Sequence, residues 1–247
     1  MEIKRFFVAP PIVVGKEIEV VGDEFVHAVK VSRYKVGYKI ILSDGDGYDY
    51  FATITAVGKS SFSALVDRSE RNANELSVPL ALYMCSIEKS DIAVQKATEI
   101  GATEIRFLIS RFTNTKSQNY DRLRKIAVES AKQCGRAVVP VIYEAVSFEN
   151  GVKDAATRFD SCVFAYEGAT SGRVSDCIGE GTSSVAVIVG SEGGFSEDEV
   201  AFARDNGAKV VTLGRRILRA ETASIVTLAL AADALEKYES SRTESRM

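Results

Sequence analysis

A chain of 247 residues, 46% hydrophobic and 26% charged, has the balance of a folded globular protein and, against a typical domain of about 150 residues, the length of one large or two modest domains, of which two are expected. No apolar run reaches the ~20 residues that crossing a bilayer takes, and MEIKRFFVAPP lacks the apolar stretch of a signal peptide, so a cytoplasmic protein without membrane contact is expected. The net charge of -3 gives no general attraction for a polyanion; the single histidine, His27, rules out a multi-histidine metal site; and the cysteines form no C-x-x-C pair, so no metal is expected.

The first seventy residues are short alternating runs broken by turn signals: IEVVGDE, YKIILSDGDGYDYFATITAV and SFSALVD. The DGDG at Asp44 to Gly47 separates KIIL from YDYFATI as a hairpin turn does. Residues 1–70 therefore read as a small β-rich domain, with a short helix at EFVHAVKVSR. The polar stretch RNANELSVP, residues 71–79, reads as a linker.

From Leu80 to Met247 the period changes to strands alternating with helices. LALYMCSI and EIRFLIS are predicted strands, with DIAVQKATEIG between them as a helix stopped by Gly101. YDRLRKIAVESAKQCG places Leu123, Ile126, Ala127, Ser130, Ala131 and Cys134 on one helical face. SCVFAYE, SSVAVIVG and AKVVTLG are apolar without alternation, as strands covered on both faces are. FSEDEV carries a capping box, Ser196 with Glu199, and ETASIVTLALAADALEKYE closes the chain as a helix. The pattern is that of an α/β domain with a largely parallel sheet.

Ligands bind beyond the carboxyl ends of such strands, and three apolar runs end there in unusual sequences: FAYEGA, VGSEGGF and LGRRILRAET. A single glycine is a tight turn. Gly190, Gly193 and Gly194 together exceed what a strand-to-helix turn requires, and bare backbone lets a flat ligand approach. No lysine follows, so the loop is not a P-loop, and the spacing is not G-x-G-x-x-G. Arg215, Arg216 and Arg219 flank Ile217-Leu218, as in a loop that folds over an apolar, aromatic group while its guanidiniums face an anion. A nucleotide-like ligand is indicated, its identity open at this level.

VGSEGGFSEDEV followed by LGRRILRAETASI closely resembles the two C-terminal signatures of the RsmE family, 16S ribosomal RNA uridine N3-methyltransferases of the SPOUT superfamily. The similarity extends through EKSDIAVQKATEIGATEI, AVESAKQCGRAVVPVI, and more loosely RFFV and EFVHAVKVSRYKVG. It implies a homodimer, a PUA-like β-barrel at residues 1–70 that binds RNA, and a SPOUT domain at 80–247. The last strands and helix of that domain would thread a trefoil knot whose loops bind S-adenosylmethionine. By the same resemblance the cofactor is walled by Ala165, Val189, Gly190, Glu192, Gly193, Leu213, Gly214, Ile217, Leu218 and Thr222, with residues 165–168 as a third edge.

The substrate implied is 16S ribosomal RNA in the small ribosomal subunit. N3 of uracil is a poor nucleophile while protonated, so methyl transfer requires the proton removed or the anion stabilised. Arg136 and Arg219 are the candidate catalytic residues, and no general base stands out. RNA contacts are expected from Arg5, Lys30, Arg33, Lys89, Lys96 and Arg136, each of which singly also reads as a solvated charge. Two other readings stand beside this one: a 2′-O-ribose RNA methyltransferase of the same superfamily, and a non-catalytic RNA-binding assembly protein that retains the pocket.

Overall fold

The computed structural model describes residues 3–114 and 117–244. The chain forms two compact units, Met1–Glu75 with Ala131–Val139, and Leu76–Ser130 with Pro140–Met247.

The first unit contains β1 (Arg5–Phe7), β2 (Glu17–Val21), α1 (Gly22–Phe25) continuing into a π-helical turn over Val26–Val31, β3 (Lys39–Ser43), β4 (Tyr48–Val57) and β5 (Ser61–Arg71). They form one five-stranded sheet in the order β1-β3-β4-β5-β2, antiparallel except for the β1–β3 pair. The DGDG turn does join β3 to β4, and Gly45 and Gly47 hold φ of 93° and 87° there, a region closed to most side chains. Two register shifts between β4 and β5, at Phe51/Ala52 and Ile54/Ala56, curl the sheet as β-bulges do. Phe6, Phe25, Ile40, Leu42, Ile54 and Phe62 fill its concave side.

The stretch 71–79 is not a polar linker throughout. β5 runs to Arg71, and Asn72 is buried, donating from Nδ2 to Asp49 (2.8 Å) and to the Gly135 carbonyl (2.9 Å). The division falls after Glu75, whose carboxylate holds the 131–139 segment in the first unit. A segment that closes from so far along the chain leaves no mark in local periodicity.

The second unit contains β6 (Leu80–Cys85), α2 (Ser90–Ile100), β7 (Glu104–Ile109), most of α3 (Tyr120–Cys134), β8 (Val141–Ser147), α4 (Phe148–Arg158), β9 (Ser161–Ala165), a 3-10 turn at Val174–Cys177, β10 (Val185–Val189), α5 (Glu197–Asp205), β11 (Lys209–Val211) and α6 (Ala220–Glu244). Six parallel strands lie in the order β11-β9-β10-β6-β7-β8. Every residue of β6, β9 and β10 is buried, which explains their unbroken apolar runs. Gly101 stops α2 with φ of 110°, and Ser196 and Glu199 form the predicted capping box on α5.

Local pattern did not reveal β8 and α4. β8 is an edge strand with a mixed, half-exposed face, and α4 buries a glycine, Gly151, on its packed side beside Phe148, Val152 and Ala155. A Cβ at 151 would collide with the Leu108 side chain, so this position needs closeness that a hydrophobic pattern does not signal. Among the described residues no helix is long and apolar enough to cross a membrane.

Candidate functional site

The parallel sheet leaves a cleft beyond the carboxyl ends of β9, β10 and β11, and the three loops that follow these strands form its walls. Ala165, Tyr166 and Glu167 line one side. Val189, Gly190, Ser191 and Gly194 line the second. Thr212, Leu213, Gly214, Arg216 and Leu218 line the third, and Ala220 and Ala223 of α6 form the floor.

The glycine loop after β10 is a tight turn, closed by the Gly194 amide donating to the Ser191 carbonyl at 3.0 Å. Gly194 holds φ of 67°, and a Cβ there would collide with the Glu167 carboxylate. Phe195 anchors the end of the turn against Phe164 and Phe148, with centroids 4.5 and 5.3 Å away. On its other side the loop rests on the segment after β7: Ser191 Oγ donates to the Phe112 carbonyl (3.1 Å), and a Cβ at Gly193 would lie 2.7 Å from that of Phe112.

The loop after β11 is tied at its root. Thr212 donates its amide to the Gly172 carbonyl (3.1 Å), and the Gly214 amide donates to Thr212 Oγ1 (3.1 Å). Beyond Gly214, Arg215 and Ile217 stand out into solvent, Ile217 at 87% exposure, while Arg216, also exposed, lines the cleft. The start of α6 is fixed by Glu221, which pairs with Lys89 at 3.3 Å. Burial acts to raise the Glu221 carboxyl, but its own backbone amide, Lys89 and Arg219 outweigh it and hold the group below its ordinary value. Behind the glycine loop, burial lifts the Cys85 thiol to about 11 against opposing hydrogen bonds from Ser110 and Thr113, so it is no thiolate nucleophile near neutral pH.

Of the residues expected at the cofactor site, Ala165, Val189, Gly190, Leu213, Gly214 and Leu218 share this cleft. Four others lie off its lining. Glu192 is exposed and accepts from the Glu88 amide (3.4 Å), Gly193 faces Phe112, Ile217 projects outward, and Thr222 is half-buried in the first turn of α6. Gly194 and Arg216, read from the sequence as parts of their loops, belong to the lining too; Tyr166, Glu167, Ser191, Thr212, Ala220 and Ala223 also belong to it and were not singled out individually. Their loops were legible from the strand-end pattern, but which side chain turns inward depends on the loop conformation.

Two expected RNA or catalytic arginines are buried instead. The Arg136 side chain is only 2% exposed, and Glu75 accepts from its Nε and Nη2 at 3.0 and 2.7 Å. Arg5 grips Asp49 through both terminal nitrogens (2.5 and 2.9 Å) and donates to Ser43 Oγ and the Gly135 carbonyl. Each guanidinium is taken up by a carboxylate that is itself largely shielded, which corrects the reading of both as surface contacts. Arg219 is exposed just ahead of α6; Lys89 and Lys96 are paired with Glu221 and Glu99. Lys30 and Arg33 are exposed on the first unit, where His27 packs half-buried against Phe6.

A family model for RNA methyltransferase domains matches residues 72–232, and one for RNA methyltransferase PUA domains matches residues 22–67. Together with the parallel sheet and its glycine-walled cleft, they define an RNA methyltransferase with an appended PUA domain. The chain is 30% identical over 236 residues to the ribosomal RNA small subunit methyltransferase E of Rickettsia conorii, covering 93% of this chain and 95% of that one. It is 31% identical over 226 residues to the enzyme of that name from Bacillus subtilis, covering 85% and 87%. The crystal structure of the Neisseria gonorrhoeae ribosomal RNA small subunit methyltransferase E bound to S-adenosyl methionine superposes with a TM-score of 0.82, at 26% identity over 92% of this chain and 96% of that one. The chain belongs to the ribosomal RNA small subunit methyltransferase E family.

Proposed function

We propose that the protein methylates N3 of a uridine in the 16S RNA of the small ribosomal subunit, using S-adenosylmethionine, as a cytoplasmic homodimer. The observation that carries this reading is the cleft beyond β9, β10 and β11, in a chain aligned almost end to end with small subunit methyltransferases E. The lining suits the cofactor. Side-chain-free backbone at Gly190, Gly194 and Gly214, with Leu213, Leu218, Ala220 and Ala223, accepts a flat apolar ring, and among the described residues no lysine lines the cleft to meet a phosphate chain. When bound, S-adenosylmethionine supplies an electrophilic methyl group.

Glu167 and Arg216 bring one negative and one positive side chain to the cleft wall, complementary to a ligand that carries an ammonium and a carboxylate. Arg219, exposed beside the start of α6, is proposed as the guanidinium that stabilises a uracil anion at N3, O2 and O4. Arg136 receives no part in the chemistry, because Glu75 holds it. The trefoil knot expected of the fold is part of this proposal.

Lys30 and Arg33, exposed on the PUA unit, are assigned to the RNA. Arg33 holds φ of 57°, a left-handed conformation that costs a non-glycine residue about 1–2 kcal/mol, and such positions concentrate where function requires them. The test is transfer of labelled methyl from the cofactor to under-methylated small subunits, followed by nucleoside analysis. 3-Methyluridine supports the reading, a 2′-O-methyl nucleoside moves the protein to another class of RNA methyltransferase, and no transfer despite RNA binding marks a non-catalytic assembly protein.

A further inference from the structure

The glycine loop that walls the cleft does not stand by its own turn alone. It rests on Phe112, which lies in the segment after β7, a different strand end. One side chain ties the two segments together. Glu199, buried to 9% exposure at the third position of α5, uses Oε2 to accept from the Ser196 amide (2.8 Å) and hydroxyl (3.0 Å). Its other oxygen, Oε1, accepts from the Arg111 amide at 2.8 Å.

A capping box needs only the bonds between Ser196 and Glu199. The bond to Arg111 is additional, and it sets the backbone position of the residue before Phe112. Phe112 in turn fixes Gly193 by contact and Ser191 through its carbonyl. Ser191 and Gly194 line the cleft. The path from Glu199 to the cleft wall therefore consists of one charged hydrogen bond, one peptide unit, and then the Ser191 hydrogen bond and the packed Gly193 side by side.

We infer that Glu199 is a positioning residue for the cofactor: by clasping the Arg111 amide it holds Phe112 under the glycine loop and keeps the wall at Ser191–Gly194 shaped for the ligand. The inference rests on the assignment of the cleft to S-adenosylmethionine. Glu199 does not line the cleft, so its loss is expected to weaken cofactor binding and leave the chemical step of the loaded enzyme largely intact.

Two variants separate this role from capping. Ser196→Ala removes the cap hydroxyl and keeps the Arg111 bond; Glu199→Ala removes both. Binding of S-adenosylhomocysteine is measured by calorimetry, with kcat and the cofactor KM in the methyl-transfer assay and thermal melts alongside. Glu199→Ala is expected to raise Kd and KM about tenfold with kcat within twofold, while Ser196→Ala changes Kd less than twofold. Equal changes in the two variants, or a fall in kcat without a rise in KM, overturn the inference. If Glu199→Ala does not fold, hydrogen exchange on the wild type decides. S-adenosylhomocysteine is expected to slow exchange of the Arg111 and Gly194 amides together, and an Arg111 amide indifferent to the ligand overturns the inference. Wild-type protein that binds no S-adenosylhomocysteine overturns the cofactor assignment itself, and the role of Glu199 with it.

Discussion

Glu75 and Arg136 form a buried clasp: the two nitrogens of Arg136 meet Glu75 Oε2, and the amides of Ala137 and Val138 donate to Oε1 at 2.8 and 2.9 Å. One carboxylate thus accepts four hydrogen bonds from a segment 61 to 63 residues away in sequence and fastens it into the first unit. Removing the arginine leaves that carboxylate buried and partly unanswered. Arg136→Ala is expected to lower stability by about 3–5 kcal/mol, the usual cost of breaking a buried pair. Denaturant unfolding checks the loss, and a stable variant with a selective fall in kcat would return Arg136 to the catalytic site. A chain truncated to begin at Leu80 loses Glu75 by the same logic and is expected to express as unstable protein.

Gly194 and Gly193 are adjacent but fail differently when substituted. Alanine at 194 meets both a left-handed φ and the Glu167 carboxylate within the cleft, so Gly194→Ala is expected to weaken S-adenosylhomocysteine binding at least tenfold, with a strain cost of about 1–2 kcal/mol. Gly193→Ala meets Phe112 outside the cleft and acts only by displacing the loop. Its affinity loss is expected to be smaller. Calorimetry on both folded variants orders them, and the reverse order would remove Gly194 from the cleft wall.

Lys30 and Arg33 are exposed charges on the PUA unit, whereas Arg5 is internal. Replacing Lys30 and Arg33 by alanine together is expected to leave the melting temperature nearly unchanged, lower RNA affinity, and flatten the salt dependence of binding by about 1.4 in slope, at roughly 0.7 per single-strand phosphate contact. Arg5→Ala is expected to lower the melting temperature instead. Filter binding across a salt series and parallel melts distinguish the two outcomes.

Glu221 gives a pH signature. Its folded carboxyl lies below its ordinary 4.5, so its contribution to stability is full above that value and is lost as the pH falls through the folded pKa. Glu221→Gln is expected to be less stable than the wild type at neutral pH, with the gap closing in the acid range below 4.5. Lys89→Met is expected to show a smaller gap of the same shape. Melts at a series of pH values test this, and a gap that persists in acid excludes the ion pair as its source.

Much was determined by the sequence by itself. The unbroken apolar runs of β9 and β10 declared strands buried on both faces, whereas the third such run, AKVVTLG, became the edge strand β11 with Lys209 exposed; Gly101 and the Ser196–Glu199 box marked helix ends, and DGDG marked the hairpin, because each is a local property of a few neighbouring residues. The glycine and arginine loops at the strand ends likewise located the cleft. What tertiary structure decided is which side chains face it, and which charges are free. Arg5 and Arg136 have the composition of surface contacts and became internal clasps only because Asp49 and Glu75 come from distant segments to meet them. Gly193 and Gly194 look alike in sequence and differ because one backs onto Phe112 and the other onto Glu167. Local pattern records propensity and period, whereas burial and the pairing of charge are set by residues far apart in the chain, which meet only once the chain is folded.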